Sequence, residues 1–299
     1  MRRENGASST GERSAIPAGN VAGGTARSSF LAPHSSATHA LTVIRTYLRL
    51  GLLTMVQYRT NFLFELIGVS IHLATALLGL AVIFNQTSSL NGWSSSELVM
   101  LVGIQTILGS LLGIVIEPSF QTFMENVRLG TLDFMLTKPA DSQVMVSFQR
   151  VEGGAIAGTI AGATILGIGI ARHGERIGLG QALLFAAMLV LGIVIMYSFL
   201  LILSTLAFWF VKLDNVLVIF GTTFDQAGRW PIGIYPGWLK ATLTFVIPIA
   251  FVVTVPAQAL SGRVNGLTVA GACVLALAFL LGARWFWRYG LKHYTGASA

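Results

Sequence analysis

Few residues in this chain have the type and spacing that catalysis would require. The ionisable side chains within or beside apolar runs include Glu65, His72, Glu152 and Asp225. Glu65 and Glu152 fall near the ends of such runs, where they reach water or a neighbouring base. His72 lies deeper, where a neutral, hydrogen-bonded ring and a proton relay are both open interpretations. We identify no group of carboxylates in the middle of an apolar run, which argues against a carrier driven by protons or sodium.

The sequence motifs of several enzyme classes are absent. No lysine follows a glycine, so the phosphate-binding loop G-x-x-x-x-G-K-[ST] of ATPases is missing. No H-E-x-x-H zinc motif and no G-x-S-x-G nucleophile elbow occurs. The single cysteine, Cys273, lies in an apolar run and is expected to be a packing residue. We therefore predict that the chain is not an enzyme and holds no cofactor or metal. The alternative is a membrane-embedded, lipid-handling enzyme that uses Glu65, Glu152 or Asp225.

Composition places the chain in a membrane. Hydrophobic residues make up 54% of the sequence and charged residues 10%, and the mean hydropathy is +0.73. An average soluble domain has about 25% charged residues. The basic residues are scattered between apolar runs rather than clustered, so nucleic acid is not an expected partner. We predict an all-α integral membrane protein over residues 39–294, with a disordered tail over residues 1–38 and a short C-terminal tail over residues 295–299.

Six apolar runs are long enough to cross a bilayer core, which takes about 20 residues of helix. Before them, Leu41 to Arg59 has polar and apolar sides and predicts an amphipathic helix at the membrane surface or an extension of the first span. The short apolar piece Val216 to Phe220, within residues 213–228, predicts an interfacial or re-entrant segment. The six predicted spans are Phe62 to Phe84, Leu98 to Ile116, Val151 to Ala171, Leu179 to Val211, Leu239 to Ala257 and Leu267 to Phe286.

The distribution of lysine and arginine predicts the orientation of these spans. With both termini in the cytoplasm, the external loops hold only Arg172, Arg176 and Arg263, and the other basic residues outside the tail, Arg229 and Lys240 among them, fall inside. Positive residues are retained on the cytoplasmic side of membranes. This orientation also places the polar stretch Glu117 to Arg150 in the cytoplasm.

Within that stretch the spacing of Phe120, Phe123, Met124 and Val127 predicts a short helix with one apolar face, which has nothing within the chain to cover it. We interpret this face as a docking surface, although contact with lipid headgroups remains an alternative. Gly130 is placed to end the helix in the left-handed conformation, and Pro139 and Asp141 are expected to turn the chain and cap the third span. The apolar residues of the predicted surface are Phe120, Phe123, Met124 and Val127, and Gly130 follows them.

Two further patterns concern how the spans pack. Gly154, Gly158 and Gly162 stand four residues apart and predict a ridge along the third span where another helix approaches closely. Pro248 interrupts the fifth predicted span and Pro256 closes it, and each is a possible kink.

From Leu41 to Tyr294 the sequence resembles the type-2 ABC transporter permeases, and within them the export-type permeases with one six-span domain per chain. The resemblance rests on FQTFMENVRLGTLDFMLTKPAD between the second and third spans, on FWF at Phe208 to Phe210, on RWPIGIYP at Arg229 to Pro236, and on the prolines from Pro248 to Ala257.

The resemblance implies a mechanism in which the energy comes from another subunit. In such permeases a coupling helix between the second and third spans sits in a cleft of an ABC ATPase, a role that would fall here to Pro118 to Arg128. The resemblance implies that the apolar residues of the predicted surface press into the ATPase, and it adds Glu125 and Arg128 to that surface as polar contacts at its rim. Two permease chains, identical or different, would face each other above an ATPase dimer that binds ATP and Mg²⁺. The implied protein is an exporter subunit in a bacterial inner membrane; the alternative is a secondary carrier.

Overall fold

The protein is described by a computed structural model that covers residues 45–46, 59–137, 141–174, 176–210 and 213–294. These residues form helices and turns, with no strand. The predicted tails, Pro139 and nearly all of the predicted amphipathic helix Leu41 to Arg59 lie outside them. The helices are α1 (Arg59–Gln86), α2 (Ser95–Leu129), α3 (Asp133–Leu136), α4 (Ser142–Ser147), α5 (Ile156–His173), α6 (Leu179–Thr205), α7 (Asp214–Ala227), α8 (Gly237–Ala241), α9 (Val255–Leu260) and α10 (Gly266–His293).

Five of these helices, α1, α2, α5, α6 and α10, are long and apolar enough to cross a membrane. At about 1.5 Å per residue, the 28 residues of α1 exceed the roughly 30 Å thickness of a bilayer core. The all-α membrane fold predicted from composition is therefore confirmed. We call the end of the bundle where α1 begins and α10 finishes the terminal end, and the opposite end the distal end.

Helix α2 is longer than the sequence predicted, because it does not stop at the membrane. It runs without a break for 35 residues from Ser95 to Leu129, passing through Pro118. Proline costs an interior helix one backbone hydrogen bond, and the Ile114 carbonyl, four residues before Pro118, accepts instead from the Glu152 N–H at 2.7 Å. Gly130 ends the helix at φ 69°, as predicted. The prediction of a separate short helix from Pro118 to Arg128 was wrong, because these residues form the last turns of the second span.

Helices α2 and α5 approach each other at glycines. A Cβ at Gly162 would lie 2.8 Å from the Ile107 backbone nitrogen and 3.0 Å from the Gly103 carbonyl oxygen, and one at Gly158 would collide with the Ser110 side chain. Gly154 lies in the short 3₁₀ turn Gly153–Ala155 that precedes α5, outside the helix itself. The close approach therefore uses Gly158 and Gly162 of the predicted ridge.

The fifth crossing differs from the prediction. Helix α7 starts just after α6 finishes at the terminal end, and Phe220 of α7 packs on Phe199 of α6 with ring centroids 5.1 Å apart. Further along, Phe224 lies beside Gly109 of α2. After α7 the chain reaches Gly233, whose backbone is so close to Asn91 that a Cβ there would collide with that side chain. Asn91 belongs to the distal loop between α1 and α2, so residues 214–233 run from one end of the bundle to the other.

The predicted fifth span, Leu239 to Ala257, does not cross. It lies in two limbs, Gly237–Val246 and Ala250–Leu260, which meet at 78° around Pro248. Both limbs contain π-helical turns. Pro256 lies in the first turn of α9 and interrupts nothing, since the second limb continues to Leu260.

Contacts at both ends of this segment place it on one side of the membrane. Its start follows Gly233 at the distal end, and after its finish Arg263 donates a 2.7 Å hydrogen bond to the Gly92 carbonyl in the same distal loop. Between them, the Val252 carbonyl oxygen would lie 3.1 Å from a Cβ at Gly192, about 20 Å along α6 from its distal start. The two limbs therefore form a re-entrant hairpin, which dips into the bundle and returns.

Candidate functional site

The predicted docking face at the end of α2 is covered by the chain's own helices. Phe120 and Phe123 are 0% exposed and Met124 is 4% exposed. The Phe123 ring packs on Phe208 at 5.4 Å and on Trp287 at 5.2 Å between centroids. The expectation that this face has nothing within the chain to bury it was wrong, because the segment after α6 and the last turns of α10 cover it.

Two apolar side chains that follow this face in the sequence are exposed. Leu129 is 60% exposed and Phe134, in α3, is 75% exposed. Glu125 and Arg128, from the predicted surface, are also exposed, with 4.0 Å between Arg128 Nη2 and Glu125 Oε1. We call these four residues, Glu125, Arg128, Leu129 and Phe134, the tip surface. Val127, also from the predicted surface, is partly buried against the core.

Hydrogen bonds tie the chain behind the tip surface to the end of α2. The Gln149 amide donates to the Ser119 carbonyl at 2.6 Å. The Ser119 hydroxyl donates to the Arg150 carbonyl at 2.9 Å and accepts from the Arg150 backbone N–H at 3.0 Å. The Glu152 N–H donates to the Ile114 carbonyl at 2.7 Å. These hydrogen bonds attach the segment that precedes α5 to α2.

A second set of contacts ties the same region to α6 and α10. Asp141 caps α4 rather than the third span as predicted, accepting hydrogen bonds from Gln143 and Val144. Its carboxylate also receives the Arg284 guanidinium, with Nη2 2.5 Å from Oδ2. This hydrogen bond from Arg284 lowers the pKa of Asp141 below its ordinary value, and the two backbone N–H groups add to the effect against the opposing influence of burial. The hydroxyls of Ser147 and Tyr197 lie 2.8 Å apart and link α4 to α6.

Inside the bundle the structure brings polar residues together that the sequence did not group. A cavity of about 390 Å³ lies between α1, α2 and α7, and its lining includes Glu65, His72, Gln105, Glu117 and Asp225. The Gln105 amide donates to Asp225 Oδ1 at 3.0 Å. Arg229 Nη2 lies 2.6 Å from His72 Nε2, and since a guanidinium can only donate, the imidazole nitrogen accepts.

The sequence interpretation missed this cluster because it did not recognise α7 as a crossing helix. Asp225 was predicted to lie in an interfacial or re-entrant segment and Arg229 in the cytoplasm, whereas both lie between the ends of the bundle. One carboxylate, Asp225, is therefore found in the middle of the bundle, where the sequence indicated none. Their spacing of four residues after an apolar run, which in a helix brings two side chains to one face, was the available signal, although Arg229 lies just beyond the end of α7. His72 therefore has a hydrogen-bonded ring, which is one of the two interpretations that the sequence left open; the other was a proton relay.

The three acidic residues of the enzyme alternative do not form one site. Glu65 and Asp225 line the cavity, but Glu152 is half exposed and pairs with Arg150 at 2.9 Å. Within the described parts of the chain no group of three His, Cys, Asp or Glu residues could hold a metal ion. The arrangement places polar side chains around a cavity inside the bundle and exposed apolar side chains at its terminal end.

Comparison with known proteins identifies the family. A family model described as ABC-2 family transporter protein matches residues 70–298. No curated protein matches the chain. The matched region includes most of α1, all the later helices, the tip surface and the re-entrant hairpin. The chain therefore belongs to the ABC-2 family of transporter proteins and is a multi-pass membrane permease of an ABC transporter.

Proposed function

We propose that this permease is an exporter subunit driven by a separate ABC ATPase, which docks on the tip surface. The observation that carries the proposal is the exposed pair Leu129 and Phe134 at the end of the bundle, held on a scaffold that is hydrogen-bonded to α2, α6 and α10. An exposed apolar anchor with a polar rim is what a protein interface requires. ATP and Mg²⁺ bind to the partner, and closure of the ATPases moves the tip surface.

This proposal places the terminal end of the bundle in the cytoplasm. Arg128, Arg150, Arg284 and Arg288 lie at that end, and positive residues are retained on the cytoplasmic side. Lys240 and Arg229 were both counted as cytoplasmic in the sequence prediction. In the observed fold Lys240 lies on the distal side and Arg229 lies inside the bundle. The terminal end keeps the excess of positive charge without them. A bacterial inner membrane with both termini inside is the location that we propose.

A second permease chain, identical or different, completes the transporter in this proposal. Helix α1 leaves Phe64, Ile67 and Ile71 exposed, at 70%, 56% and 63%, and Phe64 lies beside the cavity. A facing permease chain would cover part of this apolar surface, and lipid the remainder. The two cavities would then lie on either side of a shared pathway, with alternation between inward- and outward-facing states driven from the tip surface.

The coupling proposal is tested by contrasting two phenylalanines. We expect Phe134→Asp to insert and fold normally but to lose the ABC ATPase that copurifies with the tagged wild-type permease from its native membrane, because a charge replaces the exposed anchor. Phe134→Leu, which keeps an apolar side chain, is the matched control and should retain the ATPase. Phe123→Asp should instead reduce the amount of folded protein, because it buries a carboxylate without a partner.

Retention of the ATPase by Phe134→Asp would show that the tip surface is not the docking site. The second candidate function, a secondary carrier, is favoured by Asp225 and Arg229 inside the bundle, since ionisable residues in spans often mark ion pathways. Transport that continues after ATP depletion and stops with an uncoupler would support the carrier and exclude the exporter.

A further inference from the structure

The cavity between α1, α2 and α7 has the size and composition of a small-molecule site. Its volume of about 390 Å³ falls within the roughly 300–1,000 Å³ of ligand pockets. Much of its wall is apolar, with Leu217, Phe220 and Phe224 on α7. Such a wall accommodates an apolar body, and the few polar groups in it decide which ligand is accepted.

The polar groups of the cavity are dominated by carboxylates. Glu65, Glu117 and Asp225 all line it. Among the described residues none of the three forms an ion pair with a lysine or arginine. Arg229, two residues after the end of α7, directs its guanidinium at His72, and its Nε has no hydrogen-bond partner among the described residues. The cavity therefore presents negative charge that the chain itself does not neutralise by contact, which favours a cation and disfavours an anion.

A buried amide, that of Gln105, adds a hydrogen-bond acceptor to the negative charge of the cavity. Gln105 is 2% exposed, and its Nε2 is used in the hydrogen bond to Asp225. Its Oε1 is buried and accepts no hydrogen bond from any described residue. Buried acceptors are nearly always paired, so this oxygen, on a side chain that lines the cavity and hydrogen-bonds the Asp225 carboxylate, indicates a place for a hydrogen-bond donor. A protonated amine has both the positive charge and the N–H groups.

We propose that the cavity binds a protonated amine carried on an apolar body. The ammonium lies beside Asp225 and Gln105, where it donates to the Asp225 carboxylate and to Gln105 Oε1. The apolar body packs against Phe220, Phe224 and Leu217. Glu65 and Glu117 lie towards the terminal end and attract the cation at longer range. That the bound amine is the transported substrate rests on the proposed function, whereas binding itself does not.

The test measures binding of a matched set of ligands to the full-length permease in lipid nanodiscs, with empty nanodiscs subtracted. The probe is 3,3-diphenylpropylamine. Its N-acetyl derivative removes the charge, its N,N,N-trimethyl derivative keeps the charge without N–H groups, and 4,4-diphenylbutanoate reverses the charge. We expect the amine to bind at least tenfold more tightly than the acetylated and anionic compounds, and several-fold more tightly than the trimethyl compound.

Variants then connect the selectivity to the named residues. Asp225→Asn should reduce the tenfold preference for the amine over its acetylated analogue to about twofold or less, while binding of the acetylated analogue stays unchanged and so reports an intact cavity. Gln105→Met should remove the preference for the amine over the trimethyl compound. Glu117→Gln should weaken amine binding about threefold. Asp141→Asn, a carboxylate outside the cavity, is the control and should leave all affinities unchanged.

Equal affinity of the wild-type protein for the amine and its acetylated analogue would overturn the proposal, as would tightest binding of the anion. Selectivity that survives in Asp225→Asn would place the amine elsewhere. These outcomes are separate from the coupling test: Phe134→Asp should keep amine selectivity while losing the ATPase, and failure of amine binding would leave recruitment of the ATPase by the wild-type permease unaffected.

Discussion

Single residues of the same type occupy opposite environments at the terminal end of the bundle. Phe123 is fully buried between Phe208 and Trp287, whereas Phe134, eleven residues later, is 75% exposed. The spacing of Phe120, Phe123, Met124 and Val127 correctly indicates one apolar helix face. It does not indicate what covers that face, because the covering residues are distant in the sequence.

The ion pair between Asp141 and Arg284 should make the stability of the protein depend on pH. Its pKa is lowered in the folded protein by the hydrogen bond from Arg284, so the pair stabilises the fold above the ordinary pKa of an aspartate, about 3.9, and this contribution disappears as the pH falls through the lowered value. We expect Asp141→Asn to lower the melting temperature of the purified permease slightly at pH 7. The free energy of unfolding should fall by less than about 1 kcal/mol, because both side chains of the ion pair are partly exposed.

The melting temperatures of wild type and Asp141→Asn should converge as the pH is lowered towards 3. Measuring both by thermal scanning across this range cancels the titration of the other carboxylates. A difference that stays constant between pH 7 and pH 3 would show that ionisation of Asp141 does not contribute to stability.

The effect on stability of replacing a helical glycine depends on what packs beside it. Gly162 and Gly167 lie in the same helix, α5, but a Cβ at Gly162 would press on the backbone of α2, while one at Gly167 would meet nothing within 4 Å. Alanine is favoured over glycine in a helix interior by about 0.5–1 kcal/mol. The packing of the neighbouring helix therefore decides the sign of the effect of the same substitution.

We expect Gly162→Ala to lower the melting temperature, because over-packing costs about 1–3 kcal/mol and exceeds the gain in helix propensity. Gly167→Ala, its matched control, should leave the melting temperature unchanged or raise it. Equal shifts for the two variants, measured by thermal scanning in the same detergent, would contradict the close approach of α2 and α5.

For the whole molecule, the main outcome is the path of the chain after α6. Residues 214–233 cross the bundle, and the hairpin formed by Gly237–Val246 and Ala250–Leu260 enters and returns at the distal end. The sequence interpretation had the crossing in the later segment. Both descriptions give six crossings and the same placement of the termini, but only the observed path brings Asp225 into the cavity and places Lys240 on the distal side.

This path is tested by labelling cysteines in intact cells. In a Cys273→Ser background, Gly237→Cys and Gly266→Cys flank the hairpin at exposed positions with nothing within 4 Å of the new Cβ. A membrane-impermeant maleimide added outside should label both, and should label Phe134→Cys only after the cells are opened. If Gly237→Cys reacted only in opened cells, Gly237 would lie on the cytoplasmic side, and Leu239 to Ala257 would cross the membrane as the sequence predicted.

The sequence by itself determined the properties that depend on composition summed over a segment. Apolar runs of about 20 residues identified the membrane class and five of the crossing helices, and the stop at Gly130 followed from the special backbone freedom of glycine. The motifs FQTFMENVRLGTLDFMLTKPAD and RWPIGIYP led to the family. Transfer of apolar side chains from water to lipid is nearly additive along a helix, and so these features need no knowledge of neighbours.

Only the tertiary structure decided which apolar segments cross and what the polar residues contact. Hydropathy measures how favourable it is to leave water, but it does not distinguish a span from a hairpin that returns to its own side. Helix α7 packs across the bundle against Phe199 and Gly109 on other helices. Asp225 accepts a hydrogen bond from Gln105, and Arg229, just after α7, donates to His72. The burial of Phe123 and the exposure of Phe134 were decided in the same way, by contacts between residues far apart in the chain.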